Sequence, residues 1–224
     1  MKGLLIKDFK LIFYNIRMII TLVVISFFLL FSSNTADRYD FVISYLTVVS
    51  FMFVLSSVSY DDFDHGLSFL MTLPVSRKTY VREKYCFGLL CGIAGWIFAI
   101  LLCFLFTLTR NTTMVDILNA DFMSTSVSVY ILLTFILSVT LPIQLKFGGD
   151  NGKIFIILII GALFVIGFAV NKIAAGFNVN LTEWLNRLLT LNTVSFMLIL
   201  CAAALAALFV SYMISNKIMR NKQL

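Results

Sequence analysis

The sequence is short of everything a soluble domain keeps at its surface. Charged residues are 12% of the 224, against about a quarter in ordinary globular chains. A chain this short leaves much of itself exposed on folding, so this scarcity excludes a water-soluble fold. There are 2 prolines, 1 histidine and 4 cysteines. With His65 alone, no HExxH occurs, and no GxSxG is present either. Cys86, Cys91, Cys103 and Cys201 lack metal-ligand spacing and read as apolar packing residues. No catalytic residue, metal site or cofactor site is expected in this chain. The apolar runs are long and do not alternate, which argues against a β-barrel.

What is present is apolar. Hydrophobic residues make up 61%, Phe alone numbers 23, and mean hydropathy is +1.01. The solvent for such a chain is lipid. An all-α polytopic membrane protein of one domain, residues 1–224, is expected. Six stretches approach the ~20 residues a spanning helix needs. They run from Met18 to Ser33, Phe41 to Ser59, Cys86 to Thr109, Ser126 to Leu145, Ile154 to Asn171, and Leu191 to Ser215.

The net charge of +6 would suggest nucleic acid on a soluble protein, but here the charges sit between apolar runs and report topology. With the N-terminus inside, Lys2, Lys7, Lys10, Arg17, Arg77, Lys78, Arg82, Lys84, Lys146, Lys153, Lys217, Arg220 and Lys222 fall inside. Arg38, Arg110, Lys172 and Arg187 fall outside. That bias predicts both termini in the cytoplasm. Lys2, Lys7 and Lys10 precede an apolar run as in a signal peptide, yet no small-residue cleavage pattern follows near Ser32 to Ala36, so a retained anchor is expected.

The first sixteen residues place Leu5, Phe9, Ile12 and Ile16 on one helical face and Lys7, Lys10, Tyr14 and Arg17 on the other. This reads as an amphipathic helix at the inner membrane surface, or else as an extension of the first span. Between the last two spans, residues 172–190 are too interrupted to cross. Thr182 can cap a short helix there and Trp184 suits the interface, giving either a half-inserted outer hairpin or an amphipathic loop.

No span carries Lys, Arg, Asp, Glu or His in its interior. Ion and proton pathways normally need such groups, so the driving energy is expected from elsewhere. Ser128, Thr134, Ser138, Gln144 and Asn171 either line a path or hydrogen-bond between helices. Gly88 and Gly92 form a GxxxG pair, and Ala203 and Ala207 a small-xxx-small pair. Gly148 to Lys153 resembles a phosphate loop but fails it. Phe147 stands where the first Gly belongs, and Ile154 where Ser or Thr should meet magnesium.

The segment 60–85 is the longest cytoplasmic one. Asp64 can cap a short helix from His65 to Thr72, Pro74 ends it, and Ser76 can cap the next helix. Leu67, Phe69, Leu70, Met71 and Leu73 make that short helix too apolar for water and too short to span. Lipid, neighbouring helices or a soluble partner must cover it.

Here a family resemblance enters. Asp62, Gly66, Leu70, Leu73-Pro74-Val75-Ser76-Arg77 and Lys84 resemble the cytoplasmic loop of permease subunits of type-2 ABC transporters. The opening stretch with Leu5-Ile6-Lys7-Asp8, the Leu141-Pro142 ending and the Lys146-Phe147-Gly148 loop are similar to that family too. The resemblance implies an elbow at residues 1–16, a coupling helix in 60–85 and an outer gate at 172–190. It implies a second permease copy or a paralogue, and two copies of a cytosolic ABC ATPase that bind ATP and magnesium. Leu67, Phe69, Leu70 and Leu73, with Gly66 and Pro74, would enter the ATPase cleft, and Asp61, Asp62, Arg77 and Arg82 would set register at its rim. It implies export of a hydrophobic or amphipathic peptide across a bacterial cell membrane, with no nucleic acid partner. A membrane scaffold that docks a cytosolic protein is the alternative. A neighbouring reading frame with Walker A and ABC signature motifs would separate the two.

Overall fold

Lipid offers no partner to an unpaired backbone group, so each long apolar run must close its own hydrogen bonds, and here they do so as helices. A computed structural model describes residues 2–14, 16–32, 38–63, 66–110, 120–148, 152, 154 and 193–222. Among these, the helices are α1 (Lys2–Tyr14), α2 (Ile16–Ser32), α3 (Arg38–Asp62), α4 (Gly66–Thr72), α5 (Arg77–Arg110), α6 (Ala120–Phe147) and α7 (Thr193–Asn221). Four of them, α3, α5, α6 and α7, are long and apolar enough to cross a membrane. Counting α1 and α2, bent 62° from one another, as one broken span makes five. The expected fifth span, the outer hairpin at 172–190, Asn171 and Asp64 lie outside the described residues.

α5 starts well before the expected span at Cys86, because Ser76 caps it. The Thr79 amide donates to Ser76 Oγ at 3.2 Å, and the Tyr80 amide to the Ser76 carbonyl at 3.1 Å. The helix therefore carries the basic segment from Arg77 to Lys84 as a continuous extension of the span.

Small residues decide which helices touch. A Cβ on Gly92 would lie 2.5 Å from Phe51 Cζ, and one on Gly88 3.1 Å from Leu137 Cδ1. One at Gly95 would collide with the Ser50 hydroxyl. The GxxxG pair thus seats α5 against α3 and α6 at once. In α7 the buried alanine is Ala204, while Ala203 is exposed.

α6 continues through Pro142. A helix proline has no amide to give the carbonyl four residues earlier, which here is Ser138. Ser211 Oγ on α7 donates to that carbonyl. Further along the same pair of helices, Lys222 Nζ donates to the Leu145 carbonyl at 3.2 Å. α6 and α7 therefore run parallel, with Phe147 and Thr193 at opposite ends of the bundle.

Two apolar cores stack along the bundle. One joins Val54, Val58, Leu67, Val81, Phe87, Leu137 and Leu141, among others. The second, towards the opposite end, gathers Leu30, Val42, Ile43, Ala99, Cys103 and Phe106. α1 lays Leu5, Phe9 and Ile12 against the first core, and the Phe9 ring meets Phe87 edge-on with centroids 5.3 Å apart. The apolar face read from the sequence packs on the helix bundle through these three residues, while Ile16 remains exposed.

Candidate functional site: a short helix clamped at one end of the bundle

α4 is only 7 residues long, too short to be stable alone. It is held from beneath. Leu67 is 4% exposed and joins the core with Tyr80 and Val81. Gly66 packs on the Asp61 carbonyl so closely that a Cβ there would lie 2.9 Å from the oxygen. Met71 and Val75 pack partly against the same core. The opposite side is open. Phe63, Phe69 and Leu73 are 75%, 68% and 44% exposed. Pro74 and Arg82 are exposed, and Leu70 is half-buried. Of the apolar residues expected to meet a partner, the structure turns Phe69 and Leu73 outward and Leu67 inward.

The acidic start of the loop is tied into a buried ion cluster. Lys84 is fully buried and reaches Asp8 Oδ2 at 2.5 Å, Asp61 Oδ2 at 2.7 Å and Ser57 Oγ at 2.6 Å. Lys7 pairs with Asp61 and lies 3.2 Å from Asp8 Oδ1. The Tyr80 hydroxyl donates to Asp61 Oδ2 at 3.1 Å. Burial pushes the Asp8 carboxyl up, but the charge and hydrogen bond of Lys84, joined by Lys7 and Ser57, together outweigh it and hold it below its ordinary value. Glu83 is buried as well, 3.7 Å from Lys84, with no hydrogen bond to its carboxylate among the described residues. One lysine on α5 thereby fastens α1, the end of α3 and, through Asp61, the root of α4.

A second clamp holds the end of α7. Arg77 Nη1 donates to the carbonyls of Met219, Arg220 and Lys222 at 3.1, 2.9 and 3.1 Å. These are the carbonyls that a helix C-terminus leaves unpaired. Asp62 lies 3.4 Å from Lys222 Nζ and covers Gly148. Gly148 ends α6 in the left-handed region, φ 84°, its amide donating to the Gln144 carbonyl at 2.9 Å. Four expected rim charges thus have distinct places. Asp61 is buried in the cluster, Asp62 and Arg77 brace α6 and α7, and Arg82 is exposed.

The polar residues considered for a path are mostly occupied within the chain. Ser128, Thr134 and Ser138 donate to carbonyls one turn back on their own helix, at 2.8, 2.6 and 2.6 Å. Gln144 Nε2 bridges to α3 at the Leu55 carbonyl, 2.6 Å, and Ser59 Oγ, 2.8 Å. Tyr85 OH joins Ser215 at 2.8 Å and Ser211 at 2.5 Å. Sequence reasoning assigns no site role to Ser57, Tyr80 or Ser211, and none to Asp8 beyond its place in the family-like Leu5-Ile6-Lys7-Asp8 stretch. Asp8 had a signal, an acid inside an otherwise basic and apolar helix. The other three are ordinary residues whose partners lie up to 126 positions away.

Among the described residues no group of three or more His, Cys, Asp or Glu could hold a metal ion. Among the described residues, an all-helical bundle with several candidate spans and a braced apolar helix at one end defines a multi-pass membrane protein. Residues 3–220 match the family described as ABC-2 family transporter protein. The chain belongs to that family, whose members of this kind are the non-catalytic transmembrane subunits of ABC transporters. Comparison with curated proteins and with solved structures finds no match.

Proposed function

We propose that this chain forms one half of the translocation path of an ATP-driven exporter and is coupled through α4 to a separate cytosolic ATPase. The observation that carries the reading is the split character of the short helix. Leu67 and Gly66 root it in the bundle, while Phe69 and Leu73, with Phe63 beside them, stay open. A helix built this way can transmit a push, because its root shares Asp61 with Lys84 and hence with α1, α3 and α5. Two ATPase copies would bind ATP and magnesium and grip α4 of two permeases, this chain and a second copy or a paralogue.

The charge-free middles of the described spans support an uncharged or amphipathic cargo, and a hydrophobic peptide is the proposed class. Both described ends of the chain lie beside the 60–85 loop, at Lys7–Asp61 and at Arg77–Met219. This supports a topology of six spans with both termini inside.

The test is co-purification of the ATPase with Phe69→Asp and Leu73→Asp. Loss of the ATPase with unchanged permease folding is expected. Full retention in both variants overturns docking at α4. Retained docking with no ATP-dependent efflux by the reconstituted complex would favour a scaffold instead.

A further inference from the structure

The end of α7 carries more positive charge than its neighbours neutralise. A hollow of about 540 Å³ lies between the ends of α6 and α7, lined by Lys146, Ile214, Lys217, Ile218, Asn221 and Lys222. Among the described residues no acid lines it. A second hollow of about 410 Å³, on another side of α7, is lined in part by Lys78, Lys217 and Arg220, again with no acid among the described residues. Lys217 belongs to both.

The cations differ in what already holds them. Lys222 is engaged by Asp62 and the Leu145 carbonyl. Lys146 lies over the Phe147 ring, 5.1 Å from its centroid. Lys217 makes no hydrogen bond or ion pair among the described residues. Lys146 and Lys217 therefore bring two ammonium groups to one hollow with no carboxylate among its described lining residues. Like charges facing one hollow repel, and an anion between them relieves the repulsion. A bias of basic residues towards one membrane face explains lysines at this end, but not their convergence on a single concavity.

We propose that this hollow binds the phosphate of an anionic phospholipid, held between Lys146 and Lys217. The floor selects an amphiphile over a simple anion. Ile214 and Ile218 line the same hollow, and Ile214 and Met213 are 47% and 59% exposed on the spanning part of α7. A headgroup at the lysines sends its acyl chains along that apolar face, where a free phosphate or an acidic protein segment would find nothing polar. Basic pockets between helix ends at a membrane surface are suited to such headgroups. This inference does not rest on ATPase docking at α4.

The experiment uses the full chain purified in neutral detergent, titrated with phosphatidylglycerol or phosphatidylcholine and read by native mass spectrometry and thermal unfolding. Phosphatidylglycerol should bind and raise the melting temperature, with phosphatidylcholine weaker. Lys146→Gln and Lys217→Gln should each weaken binding about fivefold, and Lys→Arg at either position should retain it. Should Lys146→Gln not purify, Lys217→Gln, at an exposed position, carries the same comparison. Equal binding of the two lipids, or unchanged phosphatidylglycerol binding in the Gln variants, overturns the proposal. Equal protection by inorganic phosphate assigns the hollow to a soluble anion and overturns it too. Gln variants that lose the ATPase but keep phosphatidylglycerol binding make the hollow a protein contact and likewise overturn the lipid assignment.

Discussion

Ser211 on α7 donates its hydroxyl proton to the Ser138 carbonyl on α6, the carbonyl that Pro142 leaves without an amide. The proline thereby becomes a cross-helix contact. In lipid no water can take up the freed acceptor, so a partner on a neighbouring helix is needed. Tyr85 extends the link to α5 through Ser211 and Ser215.

Ser211→Ala should lower stability by about 1–2 kcal/mol, the cost of a buried acceptor left unpaired. Pro142→Ala supplies the missing amide, so the same serine change in that background should cost much less. Thermal unfolding of the four proteins in detergent gives the coupling. Additive costs would mean that the hydroxyl does not serve the proline gap.

Lys84→Met should be among the most damaging single changes, by about 3–5 kcal/mol, because it leaves buried carboxylates without their counter-ion. Adding Asp8→Asn removes one of those charges and should recover part of the loss. Unfolding midpoints of the single and double variants decide it, and a double variant no better than Lys84→Met would refute the pairing.

Asp8 also predicts an acid limb. Its carboxyl is held below the ordinary value when folded, so its contribution is present above the unfolded value of about 3.9 and is lost as pH falls through the lower folded one. Melting temperature of the wild type should drop as pH is lowered past about 4. Asp8→Asn, which has no proton to take up there, should show a shallower drop. Parallel curves would show that Asp8 does not drive the limb.

Two leucine-helix variants should separate packing from docking. Leu67→Asp buries a charge in the core and should destabilise the permease by itself. Phe69→Asp places its charge at an exposed position and should leave unfolding unchanged while the ATPase is lost. If Phe69→Asp unfolds the chain as readily as Leu67→Asp, the division of the helix into root and open face is wrong.

Gly148→Val should cost about 1–2 kcal/mol from backbone conformation alone, since its φ of 84° disfavours any Cβ. The added atom would also press on the Asp62 carboxylate that reaches Lys222. Limited proteolysis near the α7 end should report the loosening, and unchanged cleavage would argue that Asp62 moves aside freely.

Much of this was legible in the sequence wherever it followed from local chemistry. Ser76 as a cap, Pro74 as a stop and the short apolar helix that precedes them each rest on neighbouring residues, and they stand where expected. Gly88 and Gly92 announced close packing but not with which helices, since small residues permit contact without choosing a partner. The charges of the 60–85 loop were the least legible. Asp61 and Arg82 look alike as loop charges, yet one is buried beside a lysine and the other is exposed.

The sequence by itself determined that this is a multi-pass helical membrane protein, because 61% apolar content in long runs has no stable alternative outside lipid. It also determined the short helix beside the charged loop and carried the family resemblance, both of which depend on neighbours in the chain. Only the tertiary structure decided which charges are tied inside and which face of α4 stays open. Those outcomes depend on distant pairs, Asp8 with Lys84 and Leu67 with Tyr80, and local spacing carries no information about which helices lie side by side.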